Sequence, residues 1–125
     1  MIPRALIAAL LIVESGGNDA TVGDNGQAHG ALQIHPAVIT DVNRVYGTHY
    51  TFPESAHVRA DAIRICQLYL LHYCGPNGKP EEYARTWNGG PNGPRNPHTK
   101  KYWKKVKRAL DAGEIVCETR ENMQN

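Results

Sequence analysis

Leu11-Ile12-Val13-Glu14-Ser15-Gly16-Gly17, LIVESGG in one-letter code, closes the most apolar stretch of a 125-residue chain. The nine residues from Ala5 to Val13, ALIAALLIV, hold no polar side chain, and a carboxylate then stands where two glycines break the pattern. Pro3 suits a first helical position, helix formers continue to Val13 and Gly16-Gly17 supplies a stop, so the sequence predicts a helix over about 3–15. Apolar on nearly every side, this helix is expected at the centre of the fold. Glu14 shares a face with Ile7 and Leu11. A charged carboxylate there is disfavoured by desolvation and by the negative end of the helix dipole, and both raise its pKa. A carboxylic acid still protonated near neutral pH is what a general acid for glycosidic bond cleavage must be. The residues alone equally allow Glu14 to cap a helix end and reach water past Gly16.

Around this helix the chain offers one domain and a mainly α architecture. Its length suits a single core; 41% hydrophobic and 21% charged residues, with 12 Gly and 8 Pro, exclude disordered and collagen-like classes. The start, with Arg4 ahead of the apolar run, has the outline of a secretory signal, but no small-x-small cleavage pattern follows Val13, so it is read as part of the domain. Nothing approaches the roughly 20 apolar residues of a membrane span. NDATVGDNGQAHGALQI predicts a hairpin, with a strand at Ala20–Val22, a turn at Asp24-Asn25-Gly26 and a return to Ile34. Pro36 opens a second helix ending at Gly47. A third is expected from Ala56 to Cys74 with Gly75-Pro76 as its stop. A fourth starts at Pro80 with Glu81 and Glu82 and ends at Gly89-Gly90-Pro91. GGPNGPRNP is a turn-rich loop, and a fifth helix follows from His98 to Ala112, closed by Gly113. The domain is thus assigned to 1–113, five helices around a buried central one with a small hairpin, and 114–125 to a polar, loosely held tail.

Cys66, Cys74 and Cys117 are an odd number, and the first two lie about 12 Å apart along one helix, too far to bridge. The fold is therefore expected to stand without disulfides. Six histidines show no HExxH or Cys-His spacing, so neither a metal nor another cofactor is expected. No Gly-rich loop has a phosphate-binding form, and neither Ser15 nor Ser55 sits in a nucleophile elbow. A net charge of +2 does not argue for nucleic acid. KKYWKKVKR, however, places six cations within nine residues. It is read as a solvated face with Trp103, Val106 and Leu110 turned inward, and the same face could hold an anionic polymer.

VESGG, VGDNGQAHGALQI, YARTWNGGPNGP and TKKYWKKV, in this order and spacing over residues 11–106, resemble the lysozyme-like superfamily. The ARTWNGGPNG and YWKKV portion is most similar to invertebrate-type lysozymes; the ESGG, ALQI and NGG skeleton also resembles lytic transglycosylases and goose-type lysozymes. The resemblance implies that Glu14 is the catalytic acid and Asp24 the second carboxylate. It further implies that Ser15 bonds near the acid or substrate, that Gln33 is a sugar-contacting amide, and that Asn88 and Tyr102 line the cleft opposite the acid, where the Tyr hydroxyl can orient it. Trp87 stands where relatives carry another aromatic or a His. Each has a plainer reading: Asp24-Asn25-Gly26 is what a tight turn prefers, Asn88-Gly89-Gly90 is a good helix cap, and Trp87 and Tyr102 suit core packing. Asp19 and Asp41 are weaker second carboxylates. The chain departs from the invertebrate-type pattern in lacking its many cysteines, which points to a phage or bacterial lysin. The expected function is a monomeric muramidase cutting the β-1,4 bond between N-acetylmuramic acid and N-acetylglucosamine in peptidoglycan glycan strands. The alternatives are a single-Glu lytic transglycosylase and a non-catalytic peptidoglycan-binding protein.

Overall fold

The computed structural model describes residues 2–124, with side chains through Gly113; the reading of 114–125 as a loose tail and the Cys117 thiol fall outside the described side chains. Five helices carry the fold: α1 (Arg4–Ser15), α2 (Pro36–Tyr46), α3 (Arg59–Cys74), α4 (Pro80–Gly89) and α5 (Lys100–Gln124). One small antiparallel sheet pairs β1 (Val22–Gly23) with β2 (Ala28–His29), Val22 opposite His29 and Gly23 opposite Ala28. The mainly α class with one hairpin is as read from the sequence. Among the described residues no helix is long and apolar enough to cross a membrane.

Helix α1 ends as its glycines require. Gly16 takes a left-handed φ of 67°. Its N–H bonds the Ile12 carbonyl at 2.9 Å while the Gly17 N–H bonds Leu11 at 3.1 Å, satisfying carbonyls that the helix leaves open. Pro3 stands just before the first turn rather than within it. Leu6 and Leu10 of α1 lie fully buried with Leu32, Ile34, Ile65, Leu70, Tyr83 and Val106. The helix is not covered on every side, however: Ala5, Ala8 and Ile12 form an outward stripe, with Ile12 58% exposed. Uniform apolarity allows burial all round, but with α5 the most extensive neighbour of α1, one stripe stays open.

Other boundaries move for local reasons. The turn Asp24–Gly26 is a 3₁₀ turn, with Asp24 and Asn25 in left-handed conformations that Asx residues tolerate better than most. This shortens the hairpin to two residues a side, rather than the strand expected from Ala20. Helix α3 starts at Arg59, not Ala56, because Glu54–His57 is a separate 3₁₀ turn and Val58 is extended. Pro97–Thr99 likewise forms its own 3₁₀ turn ahead of α5, and Gly113 lies within α5 rather than closing it. A lone glycine is tolerated inside a helix at a cost of about 1 kcal/mol.

Two clamps hold the loops that flank the helices. The hairpin lies so close to the Glu54–His57 turn that a Cβ on Gly30 would stand 1.8 Å from the Ala56 carbonyl oxygen. His29 Nδ1 meets His57 Nε2 at 2.9 Å, and His57 Nδ1 meets the Asp19 carbonyl at 2.7 Å. On the other side, the buried Arg85 of α4 donates to Thr99 Oγ1 at 2.7 Å, to the Asn96 carbonyl at 3.0 Å and to Glu81 at 2.8 Å. Every donor nitrogen of that guanidinium thus meets an oxygen, which is what burial of a charge demands. The network fixes the approach of α5 to α4.

Candidate active site

Glu14 is the penultimate residue of α1, where the helix leaves the core, and its carboxyl is mostly buried. Burial pushes its pKa up from 4.5 to about 7, against the opposing effect of a hydrogen bond from Tyr102. That bond, Tyr102 Oη to Glu14 Oε2 at 2.6 Å, comes from the first turn of α5, the element most extensively packed on α1. The Tyr102 hydroxyl is itself held far above its ordinary pKa, first by burial and then by the Glu14 charge, so it acts as a fixed donor. The buried Cys66 of α3 also senses the Glu14 charge, after its own burial, so the acid is backed by packed side chains. Glu14 and Tyr102, 88 residues apart in the chain, thus meet in one contact.

In front of Glu14 opens a cavity of about 100 Å³, lined by Glu14, Gln33, His35, Val38, Trp87 and Asn88. The residues come from the end of α1, the return of the hairpin, α2 and α4. In a larger cavity elsewhere, lined by Asn77, Lys79, Glu81, Glu82, Arg85 and Pro94, the guanidinium is already engaged by Glu81, Thr99 and the Asn96 carbonyl. Of the two, the smaller one holds Glu14.

The sequence-predicted residues divide. Gln33, Trp87 and Asn88 join Glu14 in the cavity wall, and Tyr102 supports the acid from behind. Gln33 turns its amide nitrogen to the Gly30 carbonyl at 2.9 Å and the Thr21 carbonyl at 3.3 Å, and adopts φ 52° to do so. A Cβ on Gly23 would strike Gln33 Oε1 at 2.4 Å, so the hairpin glycine makes room for this side chain. Trp87 donates Nε1–H to the Leu32 carbonyl at 3.2 Å and packs edge-on against Tyr69 with ring centres 5.7 Å apart. Ser15 turns away from the acid: its hydroxyl donates to the Ala31 carbonyl at 2.7 Å and accepts from the Gly17 and Asn18 amides, joining α1 to the hairpin.

Asp24 stands outside the cavity lining, its side chain 62% exposed, with Oδ2 3.3 Å from His35 Nε2. Asp19 and Asp41 are engaged elsewhere. Arg59 donates to Asp19 at 2.6 Å and also to the Gly17 carbonyl, tying the loop after α1 to α3. Asp41 accepts from Tyr73 at 2.6 Å, a bond that, ahead of its pairing with Arg44, holds its carboxyl below the ordinary range. Sequence reasoning missed His35 and Val38. His35 directly follows the GALQI motif and precedes the helix-opening Pro36, so its place beside Gln33 was a signal that went unused. The lysines and arginine of α5 at 100, 101, 104, 105, 107 and 108 are exposed, while Val106 is buried and Trp103 and Leu110 pack on the core, as the pattern predicted.

No family model matches the chain. It is similar to a lysozyme of Magallana gigas, 41% identical over 59 residues, covering 45% of this chain and 43% of that protein. It is also similar to lysozyme 1 of Crassostrea virginica, 34% identical over 85 residues, or 66% of this chain and 45% of that protein. The matches thus span less than half the length of these curated relatives. In structure it superposes on a chain from the crystal structure of Aeromonas hydrophila PliI in complex with Meretrix lusoria lysozyme, with a TM-score of 0.75 at 25% identity. That superposition covers 86% of this chain and 89% of the other. The resemblance to invertebrate-type lysozymes read from the motifs is thereby supported by sequence similarity over part of the chain and by similarity of fold over most of it.

Proposed function

We propose that this chain, similar to invertebrate lysozymes in sequence, is a muramidase within residues 1–113: a glycoside hydrolase that cleaves the β-1,4 bond between N-acetylmuramic acid and N-acetylglucosamine in peptidoglycan. The observation that carries the reading is Glu14, a carboxyl raised to about 7 by burial, oriented by Tyr102 and open to a small polar cavity. Such a group is protonated at mildly acidic pH and can donate to the glycosidic oxygen as the bond breaks. Gln33, Trp87 and Asn88 frame the sugar against it, Ser15 braces the hairpin that carries Gln33, and Asp24 serves the far side of the reaction. The test is release of reducing ends from purified peptidoglycan by the wild type and by Glu14→Gln. Loss of at least about a hundredfold in the variant is expected, since a positioned acid contributes about 10²–10⁴-fold. Equal rates would remove Glu14 from the mechanism.

A second reading is favoured by one observation, the exposed position of Asp24 outside the cavity. With no second carboxylate at the reacting carbon, Glu14 could act first as acid and then as base, leaving a 1,6-anhydro end as lytic transglycosylases do. Mass spectrometry of the released muropeptides separates the two, because the anhydro product is one water lighter.

A further inference from the structure

Six side chains line the cavity before Glu14, and their chemistry narrows the choice of a base. Val38 has no polar atom. The Gln33 and Asn88 amides do not take up protons, and the Trp87 indole is a donor already engaged by Leu32. Apart from Glu14 itself, only His35 can accept a proton there. Its Nε2 lies 3.3 Å from Asp24 Oδ2. A carboxylate at that distance favours the tautomer that carries its proton on Nε2, which leaves Nδ1 as the acceptor. The backbone beneath it is firm. Ile34 is fully buried and exchanges both backbone hydrogen bonds with His29, at 2.9 and 3.0 Å, and Pro36 opens α2 on the other side.

We propose that His35 is the base of the reaction and that Asp24 is a positioning residue acting through it, an assignment that rests on the muramidase reading. Glu14 gives its proton to the glycosidic oxygen, and the C–O bond breaks with its electron pair passing to that oxygen. A water in the cavity forms the new bond to the anomeric carbon and passes a proton to His35 Nδ1. The imidazolium, facing the Asp24 carboxylate, then returns this proton to solvent, from which Glu14 is reloaded. The two faces of the reaction are thus served by a carboxylic acid on α1 and an imidazole at the start of α2.

The experiment measures kcat and KM for reducing-end release by the wild type, His35→Ala, His35→Asn, Asp24→Asn and the Asp24→Asn/His35→Ala pair, with and without added imidazole. Both His35 variants are expected to lose about a hundredfold in kcat, within the range for a positioned base, with KM changed little. Imidazole should restore His35→Ala by at least about tenfold while leaving Glu14→Gln unchanged. Asp24→Asn should lower kcat roughly tenfold alone and add nothing in the His35→Ala background, because residues acting as a unit are not additive. Wild-type kcat in His35→Ala, a loss that imidazole does not relieve, or an equal Asp24→Asn effect in both backgrounds would each overturn the assignment while leaving Glu14 as acid. A wild type without turnover would instead overturn the muramidase reading beneath it.

Discussion

Glu14 and Asp24 stand ten residues apart in the chain, and their surroundings are opposites. Glu14 belongs to a helical wall: α1 carries it, α5 bonds it through Tyr102, and the buried α3 thiol of Cys66 lies within reach of its charge. Asp24 belongs to a hairpin wall, in a left-handed turn, mostly exposed, with a histidine as its recorded ionic partner. The same functional group is thus buried, hydrogen-bonded and raised in pKa on one side and left open to solvent on the other. The hairpin wall is also the more delicately built, being held by two residue pairs, a close approach at Gly30 and side chains bonded to carbonyls.

The largest expected effect tests this difference in construction. Gly30→Ala adds a Cβ that would sit 1.8 Å from a backbone oxygen at a φ of 81°, whereas at Gly16, φ 67°, an added Cβ meets nothing within 4 Å. Gly30→Ala should therefore destabilise by about 3 kcal/mol and Gly16→Ala by about 1, from overpacking and left-handed strain together against strain alone. Urea midpoints of the two variants measure this. Equal losses would mean that the hairpin wall yields as readily as the helix end.

A second test concerns the helical wall. Activity should fall on the alkaline side as Glu14 ionises around its raised pKa of about 7. The bond from Tyr102 lowers that pKa, so Tyr102→Phe should move the alkaline limb to higher pH while reducing the maximal rate severalfold. A pH–rate profile of kcat/KM decides, and a limb that stays in place or moves down would detach Tyr102 from the acid. The smallest effect is expected on the solvent-facing side of α5. Exchanging Lys101 and Lys105 for Glu should slow lysis of whole cell walls a few-fold at low salt and leave it unchanged above about 0.5 M, since exposed charges are screened. Salt-independent slowing would place these residues in a direct contact.

The helical wall was legible in the sequence because its signals are local. The apolar run, the glycine stop and the register of Glu14 with Ile7 and Leu11 place a carboxylate on an apolar face at a helix end, and the resemblance favoured the buried acid over a solvated cap. Tyr102 was reached by resemblance, since nothing local links residues 88 apart. The hairpin wall was legible only in outline. Asp24-Asn25-Gly26 announces a turn, but whether its carboxylate faces the cavity depends on how two short strands sit against a loop from Glu54 to His57, which no periodicity encodes. His35 was passed over for the same reason, its neighbour Asp24 being brought to it by that turn. The exposed stripe of α1 was misread because an apolar side chain states what burial would favour, while the neighbours present decide what is covered.

Holding Glu14 away from water also links the folding equilibrium to protons. Between pH 4.5 and about 7 the native carboxyl keeps a proton that the unfolded chain has released, so native stability declines as pH rises through that window. At about 1.4 kcal/mol per pH unit the decline amounts to roughly 3 kcal/mol, a sizeable share of the 5–15 kcal/mol typical of a domain. Asp41 works the other way: the bond from Tyr73 keeps its pKa low, so its contribution is complete above the ordinary carboxylate range and is lost only in stronger acid. These two groups together favour the native state most in mild acid. In that interval Glu14 keeps its proton, so the form able to act as an acid is also the form that its buried place in the fold favours.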